Sequence, residues 1–305
     1  MDSTADTSKL SPRFMPYLAI LQHDLKDLWT SRLVRLWLGA AVVLTFMLTG
    51  GNWSQFQDAP LIASLLFPYL VFPWFLVIVV LGVSPVSGSR ADALADGILS
   101  RPVSRSGYLL AAWSARVALV WSVYLVAVIP AILLVVLAKR PVPPDAVTVF
   151  GIVSAVGVVG LVQTFLVSLG FLAGTILRKP LLAVVVLIFV WYPIGIILSV
   201  FSLEEFSPIS LSQAMSTQLR QTLGTPEADS NDITASEDAG AVPPQLEHFL
   251  HVFSGVSSEP VATKPEFFEG GEFADFSLLR VIWGYGLPTV LAVILAVLSF
   301  YWRDL

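Results

Sequence analysis

Six apolar runs constrain this chain more than any other feature, because crossing a hydrocarbon core takes roughly 20 consecutive helical residues. They fall near Leu36 to Gly50, Pro60 to Val83, Val117 to Ala138, Val147 to Leu177, Leu181 to Ser202 and Val281 to Trp302. The first is short and draws on Leu33 and Trp37 at its start. A transmembrane β-strand would alternate apolar and polar residues, whereas LLAVVVLIFVWYPIGIIL is apolar on every side. With 56% hydrophobic and 13% charged residues and a mean hydropathy of +0.79, the chain is far more apolar than a water-soluble domain. The expected fold is an all-α polytopic membrane protein of six transmembrane helices. Pro68, Pro73, Pro130 and Pro193 lie inside runs, where kinks are expected and neighbouring helices satisfy the freed carbonyls.

Orientation follows from Lys and Arg, which collect in short cytoplasmic loops. Both termini inside places Lys9, Arg13, Lys26, Arg32, Arg35, Arg90, Arg101, Arg105, Arg116, Arg178, Lys179 and Arg303 on the cytoplasmic side. Lys139 and Arg140 then stand in a short outer loop and argue the other way. The polar first dozen residues lack a cleavable leader pattern. The chain has no cysteine, so disulfides and thiol chemistry are excluded.

Three polar pieces hang on the runs, dividing the chain into 1–35, 36–202, 203–278 and 279–305. In the first, Leu18, Leu21, Leu25, Leu28, Trp29 and Leu36 recur at helical spacing over Pro16 to Arg35. This predicts an N-terminal interfacial amphipathic helix, or equally an anchor continuous with the first span. The third domain, 203–278, holds thirteen acidic residues against Arg220 and Lys264, a net charge of −11. The acidity is local, and no nucleic-acid partner is implied. SLSQAMSTQLRQTL and PQLEHFLHVF read as short helices of a small helical extracytoplasmic domain between helices 5 and 6. Glu247, His248 and His251 can share a helix face as a metal-capable cluster, or serve as exposed polar groups, since the pattern has no further fixed ligand.

The remaining piece, residues 87–108, carries GSRADALADGILSRPVSRSGY from Gly88 to Tyr108 between the second and third runs. Ser87 or Ser89 can cap a helix that sets Asp92 and Asp96 on one face, with Leu94, Ile98 and Leu99 free for an apolar contact. Pro102 breaks it, and Ser104 can cap a second helix leading into the third span. The segment therefore reads as a short rigid helix that grips another protein, or as a solvated loop whose arginines obey the positive-inside rule.

SRADALADGILSRPVSRSGYLLAAW resembles the segment between the second and third spans of permease subunits of type-2 ABC transporters, including those of copper-enzyme maturation and gliding machinery. Gly97, Ser100, Arg101, Pro102, Val103, Ser104 and Arg105 occupy the family pattern, while Ser89 and Ile98 depart from it, standing where glutamate and threonine are common. The resemblance implies a coupling helix that docks on an ABC ATPase, with Arg90, Asp92, Asp96, Gly97, Leu99, Arg101, Pro102, Ser104 and Arg105 as coupling residues. It further implies a second permease subunit, as homodimer or heterodimer, a bacterial cytoplasmic (inner) membrane location, and transport, most simply export. A non-transporting scaffold that passes ATPase motion to an extracytoplasmic partner would use the same helix.

The runs as bounded contain no Asp, Glu, Lys, Arg or His, although ion-driven carriers usually need such groups at membrane depth. Nor is there a G-x-x-x-x-G-K-[ST] loop, so no nucleotide cofactor is expected in this chain and ATP and Mg belong to the partner ATPase. No nucleophile and base pair lies in a run, and the chain is not expected to be an enzyme. Gln163 and Thr164 are candidate pathway residues. Gly170 and Gly174 mark a close helix contact, across a dimer or along a pathway in one reading and within one chain in the other.

Overall fold

The computed structural model describes residues 15–84, 105–143, 145–177, 179–200, 207–221 and 277–303. Among them the secondary structure is entirely helical: α1 (Met15–Thr30), α2 (Arg32–Gly51), α3 (Asp58–Leu70), α4 (Trp74–Val83), α5 (Arg105–Leu137), α6 (Val149–Ile176), α7 (Pro180–Val200), α8 (Pro208–Arg220) and α9 (Leu278–Arg303). Five stretches are long and apolar enough to cross a membrane: α2, the α3–α4 pair, α5, α6 and α9. The chain is thus a polytopic helical membrane protein. α7 is apolar from Pro180 through Trp191.

Of the four prolines expected to kink their runs, only Pro73 coincides with a break. α3 stops at Leu70 and α4 starts at Trp74, while Pro68, Pro130 and Pro193 lie within continuous helices. A proline removes one donor and can be accommodated inside a packed bundle, and at Pro73 it stands directly before the first turn of α4.

α4 and α6 run side by side in the same direction, and small residues set their separation. A Cβ on Gly82 would stand 2.9 Å from the Val167 carbonyl oxygen, one on Gly170 3.0 Å from the Gly82 Cα, and one on Gly174 2.6 Å from the Val83 carbonyl oxygen. This is the small-residue contact that membrane helices use when lipid offers no hydrophobic contrast. The Gly170 and Gly174 pair therefore serves packing within the chain. α5 runs antiparallel to α6, where Trp121 Nε1 donates to Thr164 Oγ1 at 3.0 Å and its ring fills the space beside Gly160. α9 packs along α6, with Tyr285 edge-on to Phe165 at 5.5 Å between ring centroids.

α8, expected as a helix of the 203–278 domain, is present and lies against α3 and α6. A Cβ on Gly151 would overlap the Leu219 carbonyl, so α8 seats directly on the first turn of α6. Thr148 caps α6 through the Gly151 N–H at 2.9 Å, and its own backbone N–H donates to the Leu219 carbonyl at 3.0 Å.

Gly174→Leu is expected to lower stability by about 1–3 kcal/mol or more through overpacking against α4. Gly157→Leu, whose Cβ meets nothing within 4 Å, is the matched control and should be near neutral. Thermal unfolding of both variants in one detergent checks the difference.

Candidate functional site

α4 ends at Val83 and α5 begins at Arg105, so these two helices flank residues 85–104. The coupling residues Arg90, Asp92, Asp96, Gly97, Leu99, Arg101, Pro102 and Ser104 lie outside the described residues, as do Glu247, His248 and His251. Arg105 is the first residue of α5. The structure therefore describes the two helix ends that the segment connects.

The junction of these helices is built around Arg116. α5 starts well before the run that begins at Val117, so Arg116 lies within the same continuous helix, just ahead of that run. At 1.5 Å per residue the 33-residue helix is about 50 Å long, against about 30 Å for a hydrocarbon core. Val117 onward suffices to cross, which leaves Arg116 at the boundary. Its side chain is 8% exposed, and its Nε donates to the Leu81 carbonyl in the last turn of α4 at 3.1 Å. Nη1 donates to the Ala112 carbonyl at 2.6 Å and lies 4.0 Å from Asp24 Oδ2 on α1. One cation thus joins α1, α4 and α5, because free carbonyls at a helix C-terminus attract positive charge.

α1 is tied to α5 a second time by a 2.6 Å hydrogen bond between the Tyr17 and Ser114 hydroxyls. Tyr17 and Asp24 are about 10 Å apart along α1, while Ser114 and Arg116 are about 3 Å apart along α5. α1 and α5 are thus held together at two separated points along α1. Ser31 then caps α2, accepting from the Val34 N–H at 3.3 Å. Burial pushes the Asp24 carboxyl above its ordinary value, with the Arg116 charge opposing.

A second polar cluster closes the opposite end of the bundle. Arg140 Nη1 donates to Asp58 Oδ1 at 2.6 Å, and the guanidinium also bonds the Trp53 and Phe56 carbonyls and lies 5.2 Å from the Trp53 ring centroid. Arg220 of α8 donates from Nε and Nη2 to Asp145 at 2.9 and 3.1 Å, and from Nη2 to Gln57 Oε1 at 3.3 Å. Asp145 Oδ2 also accepts from the Ala59 N–H at 2.9 Å, capping α3 from another loop. Burial pushes the Asp145 carboxyl up, but the Arg220 guanidinium and the Ala59 and Ala146 N–H groups together hold it below the usual carboxylate range.

The candidate pathway residues face inward. Gln163 is fully buried, and neither its amide nitrogen nor its oxygen has a hydrogen-bond partner. Thr164 is engaged with Trp121 and with the Gly160 carbonyl. No group of three or more His, Cys, Asp or Glu side chains positioned for a metal occurs among the described residues.

Sequence reasoning missed the Arg116–Asp24 and Asp145–Arg220 pairings, because partners 92 and 75 positions apart leave no local periodicity. The available signal was Arg116 itself, one charge at the edge of an otherwise apolar run. Compared with known proteins, the chain matches no protein-family model and no curated protein sequence.

The two carboxylates respond oppositely to acid. Asp24 has a raised folded-state value, so its contribution to α1 docking is present below its unfolded value and lost as pH rises through the folded one. Asp145 has a lowered value, so its contribution to α8 docking is present above the unfolded value, about 4, and lost as pH falls through the folded one. Hydrogen exchange monitored during acidification should show α1 tightening first and α8 loosening later. At neutral pH Asp24→Asn should leave α1 protection unchanged or higher, and Asp145→Asn should lower protection of α8.

Proposed function

We propose that the chain is the permease subunit of an ABC transporter, with residues 85–104 docking on a separate ATPase and α4 and α5 carrying the resulting motion into the membrane. The observation that carries this reading is Arg116, which ties both helices flanking that segment to each other and to α1. Displacement of the segment would then be delivered to three helices together instead of being absorbed by a flexible joint. The resemblance of SRADALADGILSRPVSRSGYLLAAW to the coupling region supports the same assignment.

On this reading α7 is a sixth span, both termini are cytoplasmic, and the protein works in a bacterial cytoplasmic membrane with a second permease subunit. The clasp around Arg140 accounts for one of the two charges, Lys139 and Arg140, that argue against that orientation. A guanidinium 3% exposed and bonded to Asp58 and two carbonyls is a structural group, unlike the free charges counted by the positive-inside rule. Residues 203–278 would then be extracytoplasmic, with α8 as their foothold on the bundle.

A scaffold that pulls on an extracytoplasmic partner is the second reading, favoured by α8. Seated on α3 and α6 through Arg220 and Gly151, it would pass helix movement directly to the acidic segment C-terminal to it.

The test is purification from the native host in mild detergent, with mass spectrometry of co-purifying chains and an ATP hydrolysis assay. A stoichiometric ATPase, lost when Ala91 to Arg105 is scrambled while the membrane part stays folded, is the expected outcome. Gly97→Leu or Arg101→Ala should reduce stimulated turnover. Normal assembly and turnover in both variants would contradict the coupling role.

A further inference from the structure

Four side chains in the core of the bundle, each from a different helix, keep buried polar atoms without a partner among the described residues. Trp37 on α2 and Trp74 on α4 are 3% and 8% exposed, and neither indole N–H finds an acceptor. Tyr69 on α3 is fully buried, and its hydroxyl, near Thr45, forms no aligned hydrogen bond. Gln163, midway along α6, adds an amide with neither its donor nor its acceptor used. Each such atom left dry costs free energy comparable to a lost hydrogen bond, and water is the usual partner of buried polar groups that the protein leaves unpaired.

These side chains share one region. The Trp74 ring centroid lies 6.5 Å from that of Trp37 and 6.4 Å from that of Tyr69, so a single aromatic cluster carries three unmet donors. Gln163 falls on one helical stripe with Val167, Gly170 and Gly174, which meet α4 at Gly82 and Val83. Because α4 and α6 run in the same direction, that stripe brings Gln163 to the first turns of α4, the helix that Trp74 opens. Trp191 gives the same level independently, since its ring packs on both Phe75 and Phe165.

We propose that α2, α3, α4 and α6 enclose bound water inside the membrane, bridging the two indoles, the Tyr69 hydroxyl and the Gln163 amide. The demand is mixed, with donors and one acceptor and no charged side chain in the cluster, which suits a small neutral molecule that both donates and accepts. The inference does not rest on the transporter reading.

Hydroxyl-radical footprinting by X-ray radiolysis, on the full chain in lipid nanodiscs and in water labelled with heavy oxygen, tests the site, because a radical formed from a bound water oxidises the side chain beside it. Trp37 and Trp74 are expected to take up the label several-fold more than Trp121, which is less buried but donates to Thr164. Gln163→Leu removes both amide atoms at similar volume and should lower Trp74 labelling several-fold, with the unfolding temperature unchanged or lower. A dry core predicts the reverse. Trp37 and Trp74 labelled no more than Trp121, undiminished Trp74 labelling in the variant, or a raised unfolding temperature once the bare amide is gone would each overturn the proposal.

Discussion

A guanidinium withdrawn from water needs acceptors on every side, and that requirement at Arg116 organises the end of the bundle where α4 ends and α5 begins. Leaving such a charge unpaired costs several kcal/mol, on the order of 3–5 when one partner of a buried pair is removed. The fold meets it with a carbonyl from α4, a carbonyl from α5 and a carboxylate from α1. α4 cannot part from Arg116 without losing the Leu81 carbonyl from that charge, while α1 lies beside it through Asp24 at 4.0 Å and the Tyr17–Ser114 hydrogen bond. A polar contact at the boundary of the membrane thus does what interdigitating apolar side chains cannot do alone: it makes three helices move together.

Deeper in the membrane the organising constraint changes from charge to size. Gly82, Gly170 and Gly174 let the α4 and α6 backbones approach to contact distance. At the far end charge takes over again, where Arg140 and Arg220 bind the loops before α3 and α6. Polar clasps at both ends and a glycine seam between them hold the bundle together along its length.

The helical spans were legible because their physics is local. A run such as Pro60 to Val83 declares itself by length and hydropathy, and α8 by its amphipathic spacing. The start of α5 at Arg105 agrees with the helix expected after Ser104, but RSGYLLAAWSAR carried no sign that Arg116 would be buried against α4 and α1. Pairings between Asp24 and Arg116 or Asp145 and Arg220 were invisible, as each depends on which helices become neighbours. The GxxxG spacing announced a close contact yet left its partner open. Only the position of Gly82 assigns it to α4 of the same chain.

A spin-label distance between Asp27→Cys on α1 and Leu110→Cys on α5, both exposed positions in a chain otherwise free of cysteine, reads the Arg116 junction most directly. If one guanidinium binds α1, α4 and α5 into a unit, the native background gives a single narrow distance distribution that broadens or splits when Arg116→Leu is added. The same distribution in both backgrounds would mean that α1 is held by apolar contact alone, and that Arg116 does not couple the helices flanking residues 85–104.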